Sequence, residues 1–412
     1  MNLMIMNNGL RVLIVYTFAV CFAAKAQVNG LIQASALNGD NQLSWQQGGV
    51  GLYRFDNNHD GIVLSQGLIE FRQDLSTAWS AHGVVNAYQD PESTIGFSQA
   101  YFKYQPLTQS RYKWHIRVGG FYPLLSLENP DIGWISPYNY TNSAINSWVG
   151  EELKTFGLEA TLKLPGRSFR SPHSFTFVGA TFKGNDPAGT LLSWRGWAMH
   201  DRQTLFNEGI RFAPIASLSA PQLKYQANQV LPFTEVDGRF GYYAGLHWDY
   251  LKKSQFRFYY YDNNGDPGVL NHHTGQYAWD TRFSSAAWLY KLTGKTRIIA
   301  QVMSGQTAMG KYRGVDNRFY SHFILLSHKM KKHRFSLRYD YFKVTDHDTW
   351  QFDPNASQGE SITATWRYQL TSNWQLGIEG AAIDSQADNR AAIGFKSNFS
   401  QQQITLNAQF RF

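Results

Sequence analysis

At 412 residues the chain has room for two or three ordinary domains or for one large barrel. Its mean hydropathy is −0.39, and beyond the first thirty residues no apolar run is long enough for a membrane helix, which excludes a helical membrane protein. Yet 16% of residues are aromatic and the formal net charge is +8; a wall in which only alternate residues meet lipid reconciles a polar average with so many rings.

The first residues read as a secretory signal. Arg11 is the charged region, Val12 to Ala24 form a short apolar core, and Ala24-Lys25-Ala26 is a small-x-small cleavage site, so the mature chain begins at Gln27. Residues 1–26 are thus expected to be a signal peptide and 27–412 a single domain. The only cysteine, Cys21, leaves with the signal, which excludes disulfides, thiolate metal sites and a cysteine nucleophile. Val20 before it does not fit a lipoprotein box. An exported chain has no nucleic acid to meet, so the basic balance is expected to act on anionic solutes or lipopolysaccharide.

From there on, segments of alternating character are separated by connections of two kinds. About sixteen strands are predicted, from Asn41–Phe55 and Ile62–Asp74 through His173–Lys183, Gly238–Tyr250 and Trp279–Lys291 to Gln403–Phe412; fourteen or eighteen also fit. The connections on the side of the two termini are short, as at Leu251–Ser254, Met330–Lys332 and Thr371–Asn373. Those at the other end are long and rich in Gly, Asn, Asp and Pro, as at Pro123–Leu153 and Gly184–Asp237. Aromatics such as Trp79, Tyr104, Trp114, Trp248, Trp288 and Trp374 flank the short turns, where a girdle at the headgroup level belongs.

The last ten residues, Q-I-T-L-N-A-Q-F-R-F, put Ile404, Leu406, Ala408, Phe410 and Phe412 on one face and only polar residues on the other. This two-faced strand ending on Phe resembles the closing strand of bacterial outer-membrane β-barrels. The resemblance implies that Phe410 and Phe412 serve as the signal read by the barrel-assembly machinery. It also implies an all-β, antiparallel, up-and-down transmembrane barrel in the outer membrane of a Gram-negative bacterium.

Parity assigns the inner wall. It turns Arg72, Lys103, Arg117, Arg239, Arg257, Arg282, Arg297, Arg318, Arg338 and Arg367 inward, against the acids Glu70, Glu159, Asp249, Asp280, Asp340 and Glu379. Charges can neither face hydrocarbon, at roughly 2–4 kcal/mol for a midplane Arg, nor lie dry and unpaired. A water-filled lumen with a basic ladder is therefore expected, and salt bridging of the ladder to the inner acids is the competing expectation.

The stretch Gly119-Gly120-Phe121, Pro123 and Ser126-Leu127-Glu128 resembles a segment of the phosphate-selective porin O and P family. A general porin folds its third external loop into the barrel, so the resemblance implies that Pro123–Leu153 narrows the lumen. Its acids Glu128, Asp131, Glu151 and Glu152 would then face the basic wall across an eyelet.

The expected function is passive diffusion of small hydrophilic solutes with a mild anion preference, without cofactor or metal; porins of this size commonly form homotrimers. The alternative is a non-channel barrel that binds surface polysaccharide through its external loops, with Trp194 and Trp197 in the longest one. The strings Asp56–Gly61 and Asp262–Asp266 look like halves of calcium loops, yet Gly67 stands where the twelfth-position Glu belongs. An enzyme is not expected, because Ser321 and His322 point to opposite faces and no hydrolase signature surrounds them.

Overall fold

The computed structural model describes residues 26–39, 42–56, 61–90, 93–348, 350 and 352–412. All but the last residue of the expected signal segment, and most of the Asp56–Gly61 string, lie outside the described residues. Sixteen antiparallel strands close into one barrel. They are β1 (Gln27–Gly39), β2 (Gly61–Asp74), β3 (Trp79–Gln89), β4 (Ser93–Tyr104), β5 (Lys113–Phe121), β6 (Thr155–Leu164), β7 (His173–Lys183) and β8 (Gly241–Tyr250). The circuit continues through β9 (Ser254–Asp262), β10 (Trp279–Lys291), β11 (Thr296–Met309), β12 (Val315–Met330), β13 (His333–Asp346), β14 (Ser357–Gln369), β15 (Trp374–Ala387) and β16 (Asn398–Arg411). Strand β1 closes it against β16, from Leu31 opposite Arg411 to Gly39 opposite Gln403. The seam therefore leaves no free sheet edge.

Period-two patterning explains the wall. In β16, Gln401, Gln403, Thr405, Asn407 and Gln409 are buried on the inside, whereas Ile404 and Leu406 are 57% and 52% exposed outside. Ile324, Leu337, Ile362 and Ile378 continue that exposed face around neighbouring strands. An apolar surface of this extent does not stay in water; it is a lipid-facing belt. At the turn end, rings touch along the outer wall: Trp79 with Tyr104 at 4.9 Å, Tyr104 with Trp114 at 5.5 Å, Trp288 with Tyr290 at 5.5 Å and Trp374 with Phe410 at 5.0 Å.

The first strand differs from the sequence reading. It is Gln27–Gly39, and Asn41–Phe55, in its described part, bends into the lumen instead. Ser44 accepts a hydrogen bond from the Gln46 amide at the start of a short 3-10 turn, and Gly48 ends that turn at φ 72°, a left-handed conformation that stops a strand. Strand β1 hid its alternation because Leu31 faces inward, packed with Leu68, Val84 and Ile135.

Phe412 completes the seam by exchanging backbone hydrogen bonds with Gly30 at 2.8 and 3.1 Å. Its ring lies over that glycine, where a Cβ would come within 2.1 Å of the ring's Cζ. Gly30→Val and deletion of Phe412 should both lower barrel yield and the temperature of the heat-induced gel shift. Normal yield and an unchanged shift in both variants would show that the seam does not need this ring.

Candidate functional site

External loop L3, residues 122–154, runs inside the barrel. Ser143 caps its helix α1 (Ala144–Glu152), and all nine helical residues are buried. A helix buried on every side needs small or apolar residues all round, and Ala144, Ile145, Ser147, Val149 and Gly150 supply them. Trp148 makes edge contacts with Trp197, Phe283 and Phe319 at 5.9, 5.6 and 5.3 Å.

The wall charges hold this loop rather than facing water. Arg338, fully buried, binds Glu128 at 2.8 Å, Asp340 at 2.7 Å, and the carbonyls of Thr141 and Asn142 at 2.6 and 2.9 Å. Arg367 donates to the carbonyls of Ser136 and Asn139, and Arg257 to those of Leu124 and Ser126. The acids take L3 amides: Glu379 accepts from Tyr140 and Thr141, Asp340 from Ala144, and Glu70 from Gly133. Loop backbone thus replaces the water that parity alone called for, because a carbonyl or amide satisfies a desolvated charge as water does.

A second loop, L4 (residues 184–240), lies against the first. Glu151 pairs with Arg195 at 2.6 Å and contacts His200 at 3.1 Å. Glu152 accepts from the backbone amides of Gly189 and Leu191 and from the Trp148 indole. The amides flank the start of helix α2 (Thr190–Trp194), so L4 compensates two acids that the dipole of α1 disfavours at its C-terminus. Burial opposes ionisation of Glu151, but the Arg195 guanidinium and His200 hold its carboxyl at about 2. Burial pushes the Glu152 carboxyl up to about 7, further than those three N–H groups pull it down. The L4 chain also fills a notch above the short strand β5: β4 pairs with β5 only from Ala100 to Tyr104, and the Phe206 amide donates to Phe97 above that.

The four L3 acids therefore divide. Glu128 and Asp131 reach wall arginines, Asp131 meeting Arg411 at 2.7 Å, while Glu151 and Glu152 fasten L4. The basic residues divide too. Arg72, Lys103, Arg117, Arg257, Arg297, Arg338 and Arg367 stand on the inner face, with Arg117 paired to Glu159 at 2.8 Å. Arg282 and Arg318 do not: they share the outer face with Trp288 and Ile324, at the loop end of β10 and β12. Asp280 has the parity of Arg282 and is likewise outside. Arg239 precedes β8 at the loop end and is exposed beside Asp266. Charge was no guide there, since beyond the apolar belt an outward cation is solvated.

Sequence reasoning passed over Arg334 and Arg411, which have the inward parity of Arg338 and Gln409 and sit at the turn end of β13 and β16. It also passed over the charges of the turns themselves. Every charged residue between paired strands at that end is a cation: Arg111, Arg167, Arg170, Lys252, Lys253, Lys295, Lys331 and Lys332, all exposed. On the loop side, the carboxylates of Asp186, Glu235 and Asp237 lie within 4.8 Å of one another, a spacing that would suit a cation. Backbone amides of Val236 and Asp237 already donate to Asp186.

Between the two loops and the β15–β16–β1 wall remains a gap of about 20 Å³, bounded by Gln33, Ser35, Arg54, Thr141, Glu379 and Asn407 among others. That is room for about one water. Beside it the β16 and β1 residues are uncharged and hydrogen-bonded to one another, Ser35 Oγ donating to Asn407 at 2.6 Å and Gln409 Nε2 to Gln33 at 2.6 Å, while β15 contributes the Glu379 carboxylate.

No protein-family model and no curated protein sequence matches the chain. Solved structures do. The outer membrane channel DcaP of Acinetobacter baumannii is 10% identical with a TM-score of 0.56, over 94% of this chain and 98% of that one. An anion-selective porin from Comamonas acidovorans is 12% identical with a TM-score of 0.53, over 94% and 99%. OprB of Pseudomonas putida is 10% identical with a TM-score of 0.52, over 97% and 96%. At such identities the likeness is one of architecture, and the architecture is that of the bacterial outer-membrane porins.

Proposed function

We propose that the chain is exported by a signal peptide ending at Ala26 and works in the outer membrane of a Gram-negative bacterium as a narrow, porin-like channel for small hydrophilic solutes. The observation that carries this reading is the row of amides and hydroxyls on the inner face of β16 and β1, which borders the gap left between the infolded loops and the wall. A solute moving along Gln403, Thr405 and Asn407 exchanges its hydration for equivalent hydrogen bonds. Basic turns at the periplasmic mouth supply a mild anion preference. OmpT of Vibrio cholerae, solved in a trimer form, matches with a TM-score of 0.52 at 8% identity and covers 94% of this chain, which supports a homotrimer. Lipopolysaccharide around the outer belt and the assembly machinery at Phe412 are the remaining partners. Catalysis is no part of this reading: Ser321 Oγ donates to the Tyr341 carbonyl on the inside while His322 stands outside.

Planar-bilayer recording tests it. The purified protein should give small, discrete unitary conductances with a reversal potential biased toward chloride. A second reading, a non-conducting barrel that binds surface polysaccharide, is favoured by a cavity of about 890 Å³ at the loop end lined by Trp45, Gln46, Gln47, Asn207 and Gln229. Silence in the bilayer at all voltages, together with glycan binding lost on Trp45→Ala, would select that reading instead.

A further inference from the structure

The turn-side mouth contains a pocket of about 510 Å³ between the tip of L3, the β12–β13 and β14–β15 turns and the end of β16. Six cations line it, Lys329, Lys331, Lys332, Arg334, Arg367 and Arg411, against a single acid, Asp131. Arg411 already takes that acid. Arg367 is 2% exposed; its Nη2 is spent on two L3 carbonyls and its Nε has no hydrogen-bond partner among the described residues. Arg334 donates to Ser327 Oγ at 3.0 Å, and its guanidinium lies 5.3 Å from the Tyr138 ring, which Arg297 shares at 5.9 Å. Carbonyls, a hydroxyl and a ring face orient these groups without neutralising them.

We infer that this pocket binds small oxyanions carrying two or more carboxylate or phosphate groups. Desolvated cations without a carboxylate are held at a cost that a bound counter-charge removes. Guanidinium forks suit planar carboxylate and tetrahedral phosphate oxygens. One anionic group meets the recessed Arg334 and Arg367, and a second meets Lys331 and Lys332 at the rim, so polyvalent anions gain over monovalent ones. The basic turns focus field lines into the same mouth and raise the local anion concentration. The transport consequence, loading from the periplasmic side, rests on the channel reading; the binding itself does not.

Calorimetry of the detergent-solubilised full chain with citrate and with pyrophosphate tests the binding. Each should saturate a single site, with acetate and monovalent phosphate at least tenfold weaker. The exposed double variant Lys331→Gln/Lys332→Gln, which leaves the strands and L3 untouched, should weaken citrate at least tenfold, as should Arg334→Gln. In bilayers the same anions should block current from the turn side only. Absence of saturable heat, or both variants binding like wild type, overturns the inference. Citrate binding by a silent barrel would support the site and defeat the channel reading, whereas conduction without citrate binding would do the reverse.

Discussion

Replacing Arg338 by Met should free L3 from the wall and raise the unitary conductance several-fold, with more open-state noise. The side chain is fully buried and, among the described residues, is the one cation paired with both Glu128 and Asp340. Its loss leaves two buried acids without counter-charge, a defect of about 3–5 kcal/mol. The strand ladders do not depend on it, since β13 pairs along its length with β12 and β14. The loop, held by side chains, is the part that gives way, and the heat-induced gel shift of the barrel should survive. Adding Glu128→Gln removes one orphaned charge and should restore part of the low conductance. Wild-type conductance in Arg338→Met, with L3 still resistant to protease, would mean that the loop is fastened elsewhere.

The second large effect is a pH response set by Glu152. Its carboxyl titrates at about 7 in the fold, against 4.5 ordinarily. A raised carboxyl binds its proton more tightly folded than unfolded, so the sign is opposite to that of an ordinary ion-paired acid. The L3–L4 clasp is at full strength below about pH 4.5, weakens as pH rises, and loses no more above 7. The whole span corresponds to about 3 kcal/mol. Conductance should therefore be lowest in mild acid and increase as pH passes from 5 to 8. Glu152→Gln, which keeps the shape and carries no charge, should flatten that rise at the low-conductance level. Asp186 in L4, pushed up to about 6 by burial, and Asp348 in the loop after β13, pushed up to about 7 by burial, titrate in the same window. Neither touches Glu152's three donors, so a rise that persists in Glu152→Gln would move the sensor to another buried acid. Glu151 is already ionised throughout the range.

Much of the wall was legible because barrel strands obey one local rule. The exact bounds of β7 and β10, the short turns and the ring girdle follow from alternation and from where aromatics gather. The rule failed at β1, where an inward Leu31 blurs the pattern, and at Asn41–Phe55, whose aromatics serve an infolded loop. It also failed at Arg282 and Arg318, which were read as inward: they alternate with the inner Phe283 and Phe319 and stand outside.

By itself the sequence determined that a closed antiparallel barrel forms, which way most side chains point, and that the turn end is basic, since each of these depends only on period two and on local composition. Only the tertiary structure decided what the inner charges meet. Glu128 and Arg338 are 210 positions apart, and no local pattern brings a loop's carbonyls against a distant strand's guanidinium. Parity states which side of the wall a residue occupies; the neighbours that press against it come from the way residues 42–56, L3 and L4 fill a space that the strands merely enclose.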